Sequence, residues 1–266
     1  MAADGASLML IEEEQQLGFK VRTVPLDAPW TWLAKGWRDL CAMPFASLGY
    51  GAVFCAVGWL TFAVLSQHEI SSLIVVLAGG FTLVAPLLGA GFYEMSRLRE
   101  NGERVTFASV VDGCAGAVGR LAMFGIVLYF AYFLWVELSF LLFTVFLGGT
   151  ELPEASTFFQ QLIFTNAGLG LLFAAVLTGA ALAGLVFCLS SVAAPLLLVK
   201  DVDLVTAIAT SIRAVNANRG PMLLWAAIIA GHMALGLATL FVGLLVIFPL
   251  LGHATWHAFR DLVDLD

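Results

Sequence analysis

"LAMFGIVLYFAYFLWVELSFLLFTVFL", residues 121–147, contains a single formal charge, Glu137. As a helix at ~1.5 Å per residue this run reaches roughly 40 Å, longer than the ~30 Å hydrocarbon core of a bilayer. A surface helix of a soluble domain would carry polar residues along one face. This run has no such face, so its solvent is lipid. A second apolar run, 163–190, follows after "GGTELPEASTFFQQ" (148–161), whose Pro153, glycines and two glutamates mark an outer loop.

The rest of the chain repeats the pattern. Hydrophobic residues make up 61% and charged residues 12% of the 266 positions, against roughly a quarter charged in a soluble domain. The twelve basic residues fall into four clusters, which leave 39–96, 121–199 and 220–259 free of Lys and Arg. Each stretch is long enough for two spans of about 20 residues. If each is an out-and-back hairpin, every basic residue lies on one side, which the positive-inside rule makes cytoplasmic. The predicted spans are about 46–66 and 71–93, joined by "QHEI", then 121–147 and 163–190. The last two divide 222–259 with a turn near Gly236 to Gly243. One long kinked span over 222–259 is the alternative.

Three short stretches precede the hairpins and show apolar spacings of three and four. "PWTWLAKGWRDLC" sets Trp30, Leu33, Trp37 and Cys41 on one face. "VTFASVVDGCAGAVGR" does so with Phe107, Val110, Val111, Cys114 and Val118. "VDLVTAIATSIRAVNANRG" does so with Leu204, Ile208, Ile212 and Val215. They predict amphipathic helices in the cytoplasmic interface, with Asp27 and Asp203 as N-caps. Gly220 and Pro221 should stop the third helix and start the next span.

Pro-Leu-Leu occurs at 86–88, 195–197 and 249–251, and "VTFAS" (105–109) and "VTAIA" (205–209) begin 100 residues apart. The expected fold class is therefore all-α: a polytopic α-helical membrane protein with about six transmembrane helices. These form three hairpin repeats, about 29–97, 102–200 and 201–260, each preceded by a cytoplasmic interfacial amphipathic helix. Each repeat ends in a proline that bends the returning span. Residues 1–28 read as a partly disordered cytoplasmic arm, 29–260 as a single membrane domain, and 261–266 as a tail. The arm lacks the basic start and early apolar run of a signal peptide. Cys41, Cys55, Cys114 and Cys188 have no paired spacing and read as unpaired thiols.

The segments "WLAKGWRDL", "PLLGAGFYEMSR", "ATSIRAVNANRGPMLLW" and "PLLGHATWH", in this order between Trp30 and His257, resemble a bacterial family of predicted integral membrane proteins of unknown function. The resemblance implies a multi-span protein of the bacterial inner membrane. It brings no activity and no active-site residues.

Few residues suggest chemistry. His253 and His257 lie four apart on one helical face, a spacing that permits a shared metal or, with His232, a haem. Asp261 continues that face, but nothing nearby in sequence completes a ligand set. The plainer reading is an interfacial pair beside a belt residue, Trp256. Glu137 is the one carboxylate well inside a predicted span, and with His232 it makes a possible intramembrane polar site. Trp135 marks the outer interface beside it. Trp30, Trp37, Arg97, Arg219 and Trp256 are the expected membrane-interface anchors. Charges in "YEMSRLRENGER" pair along a helix, and Gly179, Ala180, Ala183 and Gly184 allow close helix packing.

No catalytic motif and no basic stripe for nucleic acid is present. The reading is a non-catalytic inner-membrane protein without cofactor, an accessory or assembly subunit acting through helix–helix contacts. Its partners are lipids and other integral membrane proteins, and both termini are cytoplasmic. A small-solute transporter or channel and a haem- or metal-binding membrane protein are the alternatives.

Overall fold

The computed structural model of the chain describes residues 19–68, 70–148 and 155–265. The acidic arm over 1–18, Glu69 of "QHEI", most of the loop between the third and fourth predicted spans, and Asp266 lie outside the described residues. Among those described, regular structure is helical throughout, apart from one isolated antiparallel bridge between Val21 and Val263.

Helix α1 (Ala28–Ala42) starts with Pro29 in its first turn, and Asp27 holds the N-cap position without a side-chain cap bond. Helix α2 (Pro44–Gln67) starts the same way on Pro44 and returns through α3 (Leu73–Leu88). Gly89 then joins α3 to α4 (Ala90–Glu100). Pro86 cannot donate to the carbonyl four residues back, which loosens the helix just before this junction. The Tyr93 hydroxyl donates to the Pro86 carbonyl at 3.0 Å.

Helix α5 (Phe107–Ala115) opens on a capping box formed by Thr106 and Ser109. Helix α6 (Val118–Leu147) is the long run with which the sequence reading began, and Gly148 ends it in the left-handed conformation, φ 67°. After α7 (Ala155–Phe164), Thr165 caps α8 (Asn166–Ser190) by accepting from the Gly168 amide. Helix α8 breaks at Ser191–Val192 and resumes as α9 (Ala193–Val199). Pro195 is the cause, since it leaves the Ser191 carbonyl without its helical donor. Ser211 repairs the break from the next helix, donating to the Cys188 carbonyl at 2.8 Å and accepting from the Val192 amide at 3.2 Å.

That next helix, α10 (Leu204–Ala217), is capped by Asp203, which accepts from the Thr206 amide at 2.9 Å. Its buried stripe is Ala207, Thr210, Ser211 and Ala214, displaced from the expected Leu204, Ile208, Ile212 and Val215 face. Small residues line it because α10 lies close against the α8–α9 break. Asn218, rather than Gly220, ends α10, and Gly220 already sits inside α11 (Arg219–Ala238). The final helix is α12 (Leu244–Leu262).

The predicted turn in the last apolar stretch is present at Thr239–Gly243. Leu240 and Phe241 adopt φ 52° and 67° there, which reverses the chain. Arg22 shows the reversal directly. Its carbonyl accepts from Asn218 Nδ2 at 3.0 Å, and its amide donates to Leu262 O at 2.8 Å. The start of α11 and the end of α12 therefore lie side by side, which excludes a single long kinked span.

Among the described residues, five helical stretches, not six, are long and apolar enough to cross a membrane: 44–67, 73–100, 118–147, 166–199 and 219–238. Helix α12 falls short because its second half carries His253, His257, Arg260 and Asp261. The three Pro-Leu-Leu prolines also occupy unlike places: the end of α3, the short helix after a break, and the first half of α12.

Helix α12 nonetheless buries more residues than any other described helix, and it organises one end of the molecule. It packs against α1 where Gly36 lies so close that a Cβ there would sit 2.7 Å from the Ala254 amide nitrogen. It meets α4 where Phe92 covers Gly252, and α2 where Gly51 faces Pro249 and the Leu245 carbonyl that Pro249 leaves without a helical donor. Trp32 and Trp225 are fully buried beside it and meet edge to face, with ring centroids 5.7 Å apart.

Ion pairs gather the basic residues at this same end, here termed the base. Arg22 meets Asp264 at 2.6 Å, Lys35 meets Asp261 at 3.4 Å, Arg260 meets Glu100 at 3.1 Å and Arg120 meets Asp201 at 2.8 Å. Lys200 donates to the Leu265 carbonyl at 2.9 Å.

Candidate functional site

The base encloses a chain of hydrogen bonds drawn from four helices. Asp39 comes from the last turn of α1, Ser47 from the first turn of α2, Ser96 and Arg99 from α4, and His253 and His257 from α12. Asp39, Ser47, Ser96 and His253 are all buried. Ser96 Oγ donates to Asp39 Oδ2 at 2.6 Å and lies 2.8 Å from His253 Nδ1. Ser47 Oγ lies 2.9 Å from His253 Nε2. His257 Nε2 reaches Asp39 Oδ2 at 2.9 Å, and Arg99 Nη1 binds Asp39 Oδ1.

Proton counting fixes the directions of these bonds. A serine hydroxyl has one hydrogen, and that of Ser96 is given to Asp39, so Ser96 accepts from His253 Nδ1–H. In the neutral imidazole Nε2 is then an acceptor, and Ser47 donates to it. His253 thus takes the Nδ1–H tautomer and is fully bonded without a charge. Asp39 collects bonds from three groups. Burial acts against its ionisation, but the bonds from His257 and Ser96 outweigh that, so its pKa lies below the ordinary 3.8.

His253 and His257 do share a helix face, as their spacing predicts. Their rings are committed to separate partners, two serines for one and Asp39 for the other. No group of three or more His, Cys, Asp or Glu side chains suited to a metal occurs among the described residues. Asp261 turns instead to Trp32 Nε1, at 2.8 Å, and to Lys35.

The other predicted positions scatter. Trp256 is buried and donates to Glu100 Oε2 at 2.8 Å, so it is a packing residue of the base and not a belt anchor. Arg97 forms a bidentate pair with buried Glu94, with both bonds at 2.7 Å. Trp30, Trp37 and Arg219 are exposed. Trp135 does not mark an interface: its Nε1 donates to Val76 O at 2.8 Å, and its ring lies against Gly79 and Gly179. Of the four small residues noted beside it, Gly179 serves this contact, whereas Gly184 faces open space.

Glu137 lies on the exposed face of α6 with no hydrogen bond or ion pair to another described residue. His232 Nδ1 pairs within its own helix, 2.8 Å from the Ile228 carbonyl. The structure does not join them. Sequence reasoning missed Asp39, Ser47, Ser96 and Arg99, although Asp39, Ser96 and both histidines lie within the quoted "WLAKGWRDL", "PLLGAGFYEMSR" and "PLLGHATWH" segments.

These features define a class: a polytopic α-helical membrane protein whose spans rise from a bonded polar base. Residues 73–199, just under half of the chain, match the model of a family described as "Predicted integral membrane protein (DUF2189)". The chain is similar to that family from α3 to α9, a narrower extent than the Trp30 to His257 spanned by the quoted segments. Ser96 and Arg99 fall inside the match, whereas Asp39, Ser47, His253 and His257 fall outside it. No curated protein and no solved structure matches the chain.

Proposed function

We propose that the protein is a non-catalytic subunit of a larger complex in the bacterial inner membrane, acting through helix–helix contacts. Both termini and the base lie on the cytoplasmic side. The carrying observation is Glu137, an exposed carboxylate on a span that has no hydrogen-bond or ion-pair partner among the described residues. Such a group in hydrocarbon costs roughly 3 kcal/mol or more, and intramembrane ionisable residues ordinarily face protein or water. A neighbouring span that hydrogen-bonds Glu137 removes that cost. The buried part of the base supports the same reading, because Asp39, Ser47, Ser96 and His253 are bonded within it. No observation favours the transporter or haem reading over this one.

The test is native mass spectrometry of the protein extracted in a gentle detergent, wild type against Glu137→Lys. A companion at fixed stoichiometry in the wild type, lost in the variant, is the expected result. A lone chain in both preparations contradicts the proposal. Glu137-dependent solute flux in proteoliposomes would replace it with the transporter reading.

A further inference from the structure

The end of the molecule opposite the base holds a partly open cavity of about 120 Å³ between α3, α6, α7 and α8. Its apolar wall includes Val76, Trp135, Phe143 and Leu171, and no charged side chain lines it among the described residues. Two serines interrupt that wall. Ser72, just before α3, is 4% exposed, and its Oγ has no hydrogen-bond partner among the described residues. Buried hydroxyls are nearly always bonded, so an orphan of this kind calls for an explanation. Ser139 Oγ already gives its hydrogen to the Trp135 carbonyl at 2.7 Å, and so offers the cavity acceptor lone pairs alone.

We propose that this cavity binds a neutral, membrane-soluble molecule whose buried end is a benzene-sized ring or chain end bearing one hydroxyl. Size, polarity and bonding each point to that class. An apolar cavity of about 150 Å³ accepts benzene, and this slightly smaller one is partly open, so the remainder of a longer molecule extends outward. The uncharged lining provides no counter-ion for a carboxylate or an amine. A hydroxyl accepts from Ser72 and donates to Ser139, which a carbonyl or an ether cannot do. A single water can bond both serines, but its share of roughly 30 Å³ leaves most of the apolar cavity unfilled. The wall is rigid where the ring would stack. Trp135 is held by its bond to Val76 O and by the close approach of Gly79 and Gly179.

The test uses the full chain in nanodiscs, with 4-fluorophenol and fluorobenzene as fluorine-NMR probes and lipid-only nanodiscs as the partition blank. Saturable 4-fluorophenol binding is expected, with fluorobenzene weaker. Ser72→Ala should lower 4-fluorophenol affinity about three- to tenfold, the worth of one neutral hydrogen bond, and leave fluorobenzene unchanged. Ala175→Phe, on the α8 wall, should fill the cavity and abolish both. Binding no greater than the blank overturns the proposal. So does a Ser72→Ala variant that binds phenol as wild type does, or binding that survives Ala175→Phe.

Discussion

Ser96 has one hydroxyl hydrogen and two neighbours that want it, the carboxylate of Asp39 and the ring of His253. Giving it to Asp39 determines the His253 tautomer and, through it, the direction of the Ser47 bond. Ser96→Ala should therefore leave a buried imidazole N–H and a carboxylate oxygen short of a partner, at a cost of about 1–3 kcal/mol. The thermal midpoint in detergent reads that loss. The same network predicts a pH dependence. The Asp39 pKa is lower in the folded state than its ordinary value. Its contribution is fully present above the unfolded pKa and is lost as pH falls through the folded one. Asp39→Asn should thus lower the midpoint near neutrality, and the gap to wild type should close in acid below about pH 4. A gap that does not change with pH would show that Asp39 is not ionised in the base.

Among the elements, the crossing of α1 and α12 depends on a single residue. Gly36 permits their backbones to touch, and any side chain there meets Leu250 O and Ala254. Gly36→Val should force the helices apart and destabilise the protein by roughly 1–3 kcal/mol. Gly49→Ala in α2 is the control, since nothing lies within 4 Å of a Cβ at that position. Equal midpoints for the two variants would contradict the crossing. Such crossings explain what sequence reveals at this scale and what it conceals. The spans, the Asp203 cap and the turn after α11 follow from local pattern, through runs without charge and a capping residue. The partners of α12 do not, because Gly36 and Gly252 signal close approach without naming what approaches. Trp256 misleads for the same reason. A tryptophan near a helix end suits a lipid belt, and only the distant Glu100 makes it a buried donor.

The polar base belongs to the whole molecule, and local sequence could not disclose it. Asp39 meets Ser96 across 57 residues of chain, and His253 meets Ser96 across 157 and Ser47 across 206. Asp39 sits beside Arg38 and Ser96 beside Arg97, whereas Ser47 and His253 stand in apolar runs, and no periodicity links the four. The clustering of Lys and Arg, by contrast, is visible in sequence and reappears as ion pairs that close one end of the molecule. That closure ties residues 19–27 to the C-terminal residues through the Val21–Val263 bridge and the Arg22–Asp264 pair. Residues 19–27, the α4–α5 junction, α10 and residues 263–265 therefore lie at one end of the molecule, and the orientation we propose from the positive-inside rule sets that end in the cytoplasm. Compartment-specific reporters, fused after Asp266 and inserted within 148–160, test this most directly. The account predicts a cytoplasmic signal from the first and an external signal from the second. An external signal from the C-terminal fusion would contradict it, because α12 would then stay on the outer side instead of returning to the base.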